Sequence, residues 1–317
     1  MLSSLGLESA AVLDDASFFP STRETREPEG IPTAYIAATF APASGAMNRN
    51  DYHRHMARLL DLAHEQLQLP IILIPHVSTI GEKDGDQESH AAIARLVITN
   101  DIRVLEQKPA AETAVLTGDA ELIITSRYHP VIFGLAGGVP VLPVAVDYYG
   151  EVRIGGALEN WGLAPTLRSL RHLGEDADTK WASSIIEARD DIRQHLKEQG
   201  QQLRRFHALW WDHVADVLKG STTERAYPQL PAPDPRLAAR LEGSASTTAD
   251  RLNASNETAI GLLAQHGDWL QGLDELEQHV HEPHSLTGFT AYAHVMTRLH
   301  KSRKVAAWAR KALTGGK

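Results

Sequence analysis

The chain has 317 residues, a 43% hydrophobic and 22% charged composition and a formal net charge of −9, the profile of a globular protein long enough for two domains. Its 40 acidic against 31 basic side chains argue against nucleic acid as a partner, since phosphate backbones are bound by clustered Lys and Arg. No apolar run approaches the ~20 residues of a membrane span, MLSSLGLESAAVLDD lacks the basic and apolar regions of a signal peptide, and without cysteine there is no disulfide, thiol nucleophile or cysteine metal site.

A cytoplasmic location is therefore expected. Residues 1–30 do not read as the start of a domain: in LESAAVLDDASFFPS an apolar run, an edge-strand candidate, ends at Asp14-Asp15, and TRETREPEG is a polar linker. From Pro32 the pattern becomes regular. TAYIAATFAP (33–42) has the length and composition of a buried strand. A helix follows, capped by Asn50 or Asp51, with Met56, Leu59, Leu60 and Ala63 at helical spacing. The strand PIILIPH (70–76), a long polar loop, a helix over 88–98 and the strand IRVLE (102–106) come next. A helix over 109–117 closes at Gly118, read as a C′ residue. LIITS, a helix over 130–137 and VPVLPVAVD complete the series.

Strand and helix patterns thus alternate five times within about 115 residues, which predicts an α/β, Rossmann-like parallel sheet with helices on both faces. Ligands of such sheets bind beyond the carboxyl ends of the strands, where the loops 43–50, 76–88, 106–109, 125–130 and 147–156 are expected. The predicted organisation is an α/β domain over 31–165, helices packing on it over 166–220, a linker over 221–235 and a helical extension over 236–317. In the second of these regions, over 180–218, Ile185, Ile192, Leu196, Leu203, Phe206, Leu209, Trp210, Val214 and Val217 are assigned to one buried helical face. Helices are expected over 247–280 and 286–313; the second ends in RLHKSRKVAAWARKAL, a basic stretch compatible with peripheral membrane contact. The 16 histidines are scattered, and pairs such as His53/His55 and His281/His284 are read as solvated rather than as metal ligands.

The chemistry concentrates at Ser126-Arg127-Tyr128-His129-Pro130, between a strand and a helix. Proline suits a first helical turn. His129 is placed at or near the N-cap, where free N–H groups and the helix dipole favour an anion. Arg127 adds a planar fork for carboxylate or phosphate, and His129 an imidazole able to move a proton. Two readings stay open on the residues alone: an anion site, or Arg127 paired with an acidic neighbour and His129 capping its helix.

The stretch LIITSRYHPVIFGLAGGVPVL resembles the polysaccharide pyruvyl transferase family, whose members carry an apolar strand ending in S-x-R-x-H or a variant, a small-residue helix and G-V-P-V. Pro75-His76, an acidic loop with Asp84 and Asp86, and AAETAVLTGDAEL fall in the expected order, and the resemblance covers roughly residues 10–165. It implies the C-terminal half of a GT-B-like fold. It also implies transfer of a pyruvyl group from phosphoenolpyruvate, with no cofactor, to a sugar of a surface polysaccharide or its lipid-linked precursor. By resemblance Arg127 and His129 are catalytic and contact phosphoenolpyruvate, with Ser126, His76, Arg49 and Arg153 as further substrate-binding candidates. Arg49 stands in for an arginine that many members place after the first strand of this half, and Arg153 for a lysine after the GVP strand. A homo-oligomer or companion chain is implied as the means of completing the cleft. The alternatives are a non-catalytic or truncated member acting as a binding domain, and a GT-B glycosyltransferase.

Overall fold

A computed structural model describes residues 11–18, 30–42, 47–77, 85–170, 174–220 and 227–245. Strand β1 (Ile36–Thr39) precedes helix α1 (Arg49–Leu67), and β2 (Ile71–Leu73) precedes α2 (Asp86–Ala94). Then come β3 (Ile102–Val104), α3 (Ala110–Gly118), β4 (Leu122–Thr125), α4 (Tyr128–Gly137), β5 (Val141–Ala145) and α5 (Tyr148–Asn160). A two-residue strand β6 (Arg168–Ser169), α6 (Glu175–Glu187), α7 (Arg189–Leu218) and α8 (Pro235–Ala245) follow.

The six strands form one sheet in the order β3-β2-β1-β4-β5-β6, and every neighbouring pair is parallel. This is the doubly wound Rossmann order, whose topological switch lies between the first and fourth strands, here β1 and β4. Every residue of β1, β2, β4 and β5 is buried, whereas edge strand β3 is not. That explains why the inner strands are continuous apolar runs: both faces are covered. The helices form two packed groups. Helices α3, α4, α5 and α7 adjoin one another through α4, while α2 and α6 pack on α1 and α8 packs on α6.

Several sequence expectations are corrected. The cap of α1 is Asn48, which accepts the N–H of Asp51 at 2.9 Å, so neither Asn50 nor Asp51 is the cap. The stretch 147–156 is no loop: Asp147 accepts the N–H of Gly150 and starts α5, which buries Ile154, Ala157 and Leu158. Residues 11–14 are not in a strand; they lead into a short 3-10 helix, Asp15–Phe18, that packs on α4. Gly118 closes α3 as its last residue rather than as a left-handed cap; the left-handed glycine is Gly138, at φ 79°, closing α4. What Gly118 provides is a close helix crossing: a Cβ on Gly137 would lie 2.5 Å from the Gly118 carbonyl oxygen. The single apolar face drawn over 180–218 is split between α6 and α7, and its burial stops at Phe206; Leu209 and Val217 are exposed.

Among the described residues no helix is long and apolar enough to cross a membrane. The helices expected over 247–280 and 286–313, and with them the basic membrane-contact stretch, lie outside the described residues, as do Asp84, His281 and His284.

Candidate anion site at the switch point

Strands β1 and β4 stay paired to their carboxyl ends, Thr39 opposite Thr125, and hydroxyl groups tie their exits to each other and to that of β2. Thr39 Oγ1 donates to Ile74 O at 2.7 Å, Thr125 Oγ1 to Thr39 O at 2.9 Å, and Arg127 N–H to Thr125 Oγ1 at 2.9 Å. Ser126 Oγ accepts the N–H of Ala41 at 2.8 Å and shares a hydrogen bond with Tyr52 Oη at 3.0 Å. Ser126 is 6% exposed, and its hydroxyl serves the fold. The polar sequence of the turn thus has two roles, one facing inward and one facing the sheet edge.

Arg127 is itself the N-cap of α4, with extended backbone at φ −103°, ψ 149°. His129 is the second helical residue and Pro130 the third, so the helix opens one residue before the histidine, and its cap lies two residues before it. The first-turn N–H groups of Tyr128 and His129 have no acceptor within the helix, and Pro130 has no N–H to offer. This end therefore carries the partial positive charge that draws anions.

The guanidinium of Arg127 meets Asp86, the first residue of α2, through Nε (3.1 Å) and Nη2, both to Oδ1. The other carboxylate oxygen accepts the backbone N–H groups of His76 (3.0 Å) and Val77 (2.9 Å). Asp86 has no exposed surface, and the Arg127 side chain is 27% exposed. The acidic-neighbour reading of Arg127 is thus what the structure shows, yet it does not exhaust the arginine. A guanidinium carries five N–H donors, and two are used here, which leaves three for a ligand. Asp86 therefore fixes the fork and ties the exits of β2 and β4 to the start of α2.

Two neutral imidazoles flank this pair. Thr117 Oγ1 donates its proton to Thr113 O, so it can only accept from His76 Nε2, 3.2 Å away. His76 is therefore the Nε2–H tautomer. Burial, then the fields of His129, His90 and Arg127, lower its pKa to about 3. His90 has no exposed surface; its Nε2 accepts the N–H of Phe40 at 2.9 Å, which places the proton on Nδ1, a buried atom with no hydrogen-bond partner. Burial lowers its pKa to about 4, against the opposing pull of Asp86. His129, by contrast, is exposed. The rings of His76 and His129 each stack on Phe133 with centroids 6.0 Å apart.

Arg127, His129 and His76 are thus brought together. Arg49 is the first residue of α1, on the same sheet edge, with its guanidinium 3.9 Å from Glu88. Arg153 is held on the other side of Tyr128, 4.2 Å above that ring and 5.0 Å from the Tyr149 ring, and donates to Tyr149 Oη at 2.9 Å. The acid beside it in sequence, Glu151, accepts from Ser169 Oγ at 2.6 Å and so joins α5 to β6. Sequence reading missed the roles of Asp86, His90, Thr117 and Phe133. A signal existed for two of them: Asp86 and His90 are four apart, on one face of a helix that starts at the sheet edge.

The family model for polysaccharide pyruvyl transferase matches residues 1–148. A search of curated proteins finds no match. Among solved structures, the chain is similar to a glycotransferase of kitacinnamycin, at 13% identity and a TM-score of 0.38, covering 62% of this chain and 45% of that one. It is also similar to apo UGT2 of Phytolacca americana, at 12% identity and a TM-score of 0.38, covering 67% of this chain and 48% of that one. The chain spans less than half the length of either. The matched span, 148 of the 317 residues, carries β1 to β5 and the whole Asp86–Arg127–His129 cluster, and over those residues the chain is similar to the polysaccharide pyruvyl transferase family.

Proposed function

We propose that the protein transfers a pyruvyl group from phosphoenolpyruvate to a sugar of a polysaccharide or its lipid-linked precursor, and that the donor's acidic groups sit at the N-terminus of α4. The observation that carries this reading is the convergence, at the switch point, of that helix end with a guanidinium already oriented by a buried carboxylate. Orientation before binding matters because a fork fixed in place loses little entropy when it engages an anion. Asp86 also offsets the charge of Arg127, so the site takes an anion by directed N–H groups more than by bulk positive charge.

The chemistry asked of the site is ketal formation. Two sugar hydroxyls add to the enol carbon and the bond from that carbon to the phosphate oxygen breaks. Of their two protons, one ends on the methylene carbon, which becomes a methyl group, and one leaves with phosphate. His129 is assigned the proton transfers, because it is exposed at the site while His76 and His90 are held neutral. Arg127 and the first-turn N–H groups take the carboxylate or phosphate. A cytoplasmic location goes with this donor.

Calorimetric titration with phosphoenolpyruvate tests the reading. Arg127→Ala is expected to weaken binding about ten- to a hundredfold, the worth of one hydrogen bond to a charged group. His129→Gln is expected to keep binding and lose turnover. Equal binding by native protein and a folded Arg127→Ala variant would remove the arginine from the site.

A further inference from the structure

Beside the anion site, across Tyr128, lies a groove of about 310 Å3 between α4, α5 and residues 12–17. Its polar wall is formed by Asp14, Tyr128, Arg153, Glu159 and Asn160, with Leu13, Ile132 and Trp161 among its apolar lining. Leu13, Ile132 and Trp161 are 5%, 3% and 2% exposed, so the apolar side is continuous with the core and rigid. The polar wall is also held in place. Asp14 accepts the N–H of Ala16 at 2.8 Å; burial, and then the charge and hydrogen bond of Asp14, raise the pKa of the Tyr128 hydroxyl to about 12. Arg153 is fixed by the two tyrosine rings that it faces.

One further feature marks the groove as built space. Helix α5 carries two consecutive interior glycines, each costing about 1 kcal/mol of helix stability against alanine. Gly155 packs under Leu167, where a Cβ would meet that side chain at 3.5 Å. Gly156 lines the groove, and a Cβ there would meet no heavy atom within 4 Å. Packing does not require that glycine. Its effect is to leave the groove open.

We propose that this groove binds one neutral, hydroxyl-rich ring of monosaccharide size. The lining discriminates among ligand classes. Two carboxylates against one guanidinium leave it net negative, which disfavours a second anion. The lining offers acceptors in Asp14 and Glu159, donors in Arg153, and both in Asn160 and Tyr128, with a small apolar floor from Leu13, Ile132 and Trp161, a set that suits a ring with polar edges and apolar faces. At about 310 Å3 it lies at the small end of ligand pockets, roughly 300–1,000 Å3, room for one ring and not for an oligomer. The ring of Tyr128, its shared wall, has its centroid 5.4 Å from that of His129. The groove and the anion site are thereby neighbours across one aromatic ring. Assignment of this groove as the acceptor subsite rests on the transferase reading above; the binding of a ring does not.

Saturation-transfer NMR on the full chain decides it, with the methyl glycosides of glucose, galactose, mannose and N-acetylglucosamine as probes at millimolar concentration. The native protein is expected to transfer saturation to at least one of them. Asn160→Ala should reduce the effect about fivefold, the loss of one hydrogen bond. Gly156→Leu, which fills open space and favours the helix, should abolish it while the circular dichroism spectrum and phosphoenolpyruvate binding stay unchanged. Arg127→Ala should leave glycoside binding intact. Silence from all four probes with native protein overturns the proposal, and so does a signal that survives Gly156→Leu. Failure of phosphoenolpyruvate to bind native protein, with glycoside binding retained, instead sinks the transferase reading alone.

Discussion

Asp86→Asn, Arg127→Gln and their combination measure the contact on which the anion site depends. In the native protein Asp86 accepts four hydrogen bonds, two from Arg127 and two from the backbone of His76 and Val77. Removing one partner of a buried ion pair costs about 3–5 kcal/mol, mainly because the other charge is left without compensation. That range needs discounting for Asp86→Asn, since the Arg127 side chain is 27% exposed and can turn to water. We expect about 2–3 kcal/mol for Asp86→Asn, the asparagine oxygen still accepting both backbone bonds in the place of Oδ2 while its NH2 group faces Arg127. Arg127→Gln is expected to cost more, about 3–4 kcal/mol, because it strands a carboxylate that has no exposed surface at all. The double variant should fall about 2 kcal/mol short of the sum, within the range found for groups in direct contact. Urea unfolding followed by circular dichroism at neutral pH supplies the four stabilities. A cycle additive to within about 0.5 kcal/mol would mean that the two side chains do not act as a pair, and the preoriented fork would go with it.

Acid should destabilise the protein through its buried histidines. Folded His76 and His90 titrate near 3 and 4 against about 6.5 when unfolded, so the unfolded chain binds more protons below pH 6.5 and stability falls as pH drops from there toward 4. Urea midpoints between pH 4.5 and 8 should show that slope, and His90→Gln should flatten it; an unchanged slope would exclude His90 as a contributor. Gly137→Ala should lower stability by about 3 kcal/mol although alanine is the better helix former, because its Cβ would strike the Gly118 carbonyl; a neutral result in thermal melts would contradict the close crossing of α3 and α4. Ser126→Ala should cost about 1–2 kcal/mol by orphaning the Ala41 N–H, without changing the affinity for phosphoenolpyruvate. Loss of ligand binding with the fold intact would move that serine into the site.

The legible part of this molecule is the part in which burial and chain direction coincide. IAAT, IIL, LIIT and VLPVA are covered on both faces, so each stands out as an unbroken apolar run between polar loops, and their alternation with helices dictates a parallel sheet. Strand β6 has only two residues, one of them an arginine that donates to Asp178 at 3.0 Å, and nothing local announces it. The glycine-rich DYYGEVRIGG reads as a loop because helix propensity is low there; Asp147 as a cap and the burial of Ile154 and Leu158 override that preference.

The site divides along a similar line. That SRYHP would present a helix end and two basic side chains at the sheet edge follows from local grammar. That Arg127 is anchored does not, because Asp86 lies 41 positions earlier among several similar acids, and only the fold brings it to the switch point. Nor does spacing separate the neutral His76 and His90 from the exposed His129, since the difference lies in what surrounds each ring. The same limit applies to Tyr128, which in sequence merely separates two functional residues. In the fold it points its ring toward Arg153 and Asp14 and becomes the wall between an anion site and an open groove. A substitution such as Tyr128→Ala should therefore disturb both places at once, and its effect on phosphoenolpyruvate and on glycosides, measured on one sample, would show whether they are neighbours in function as they are in space.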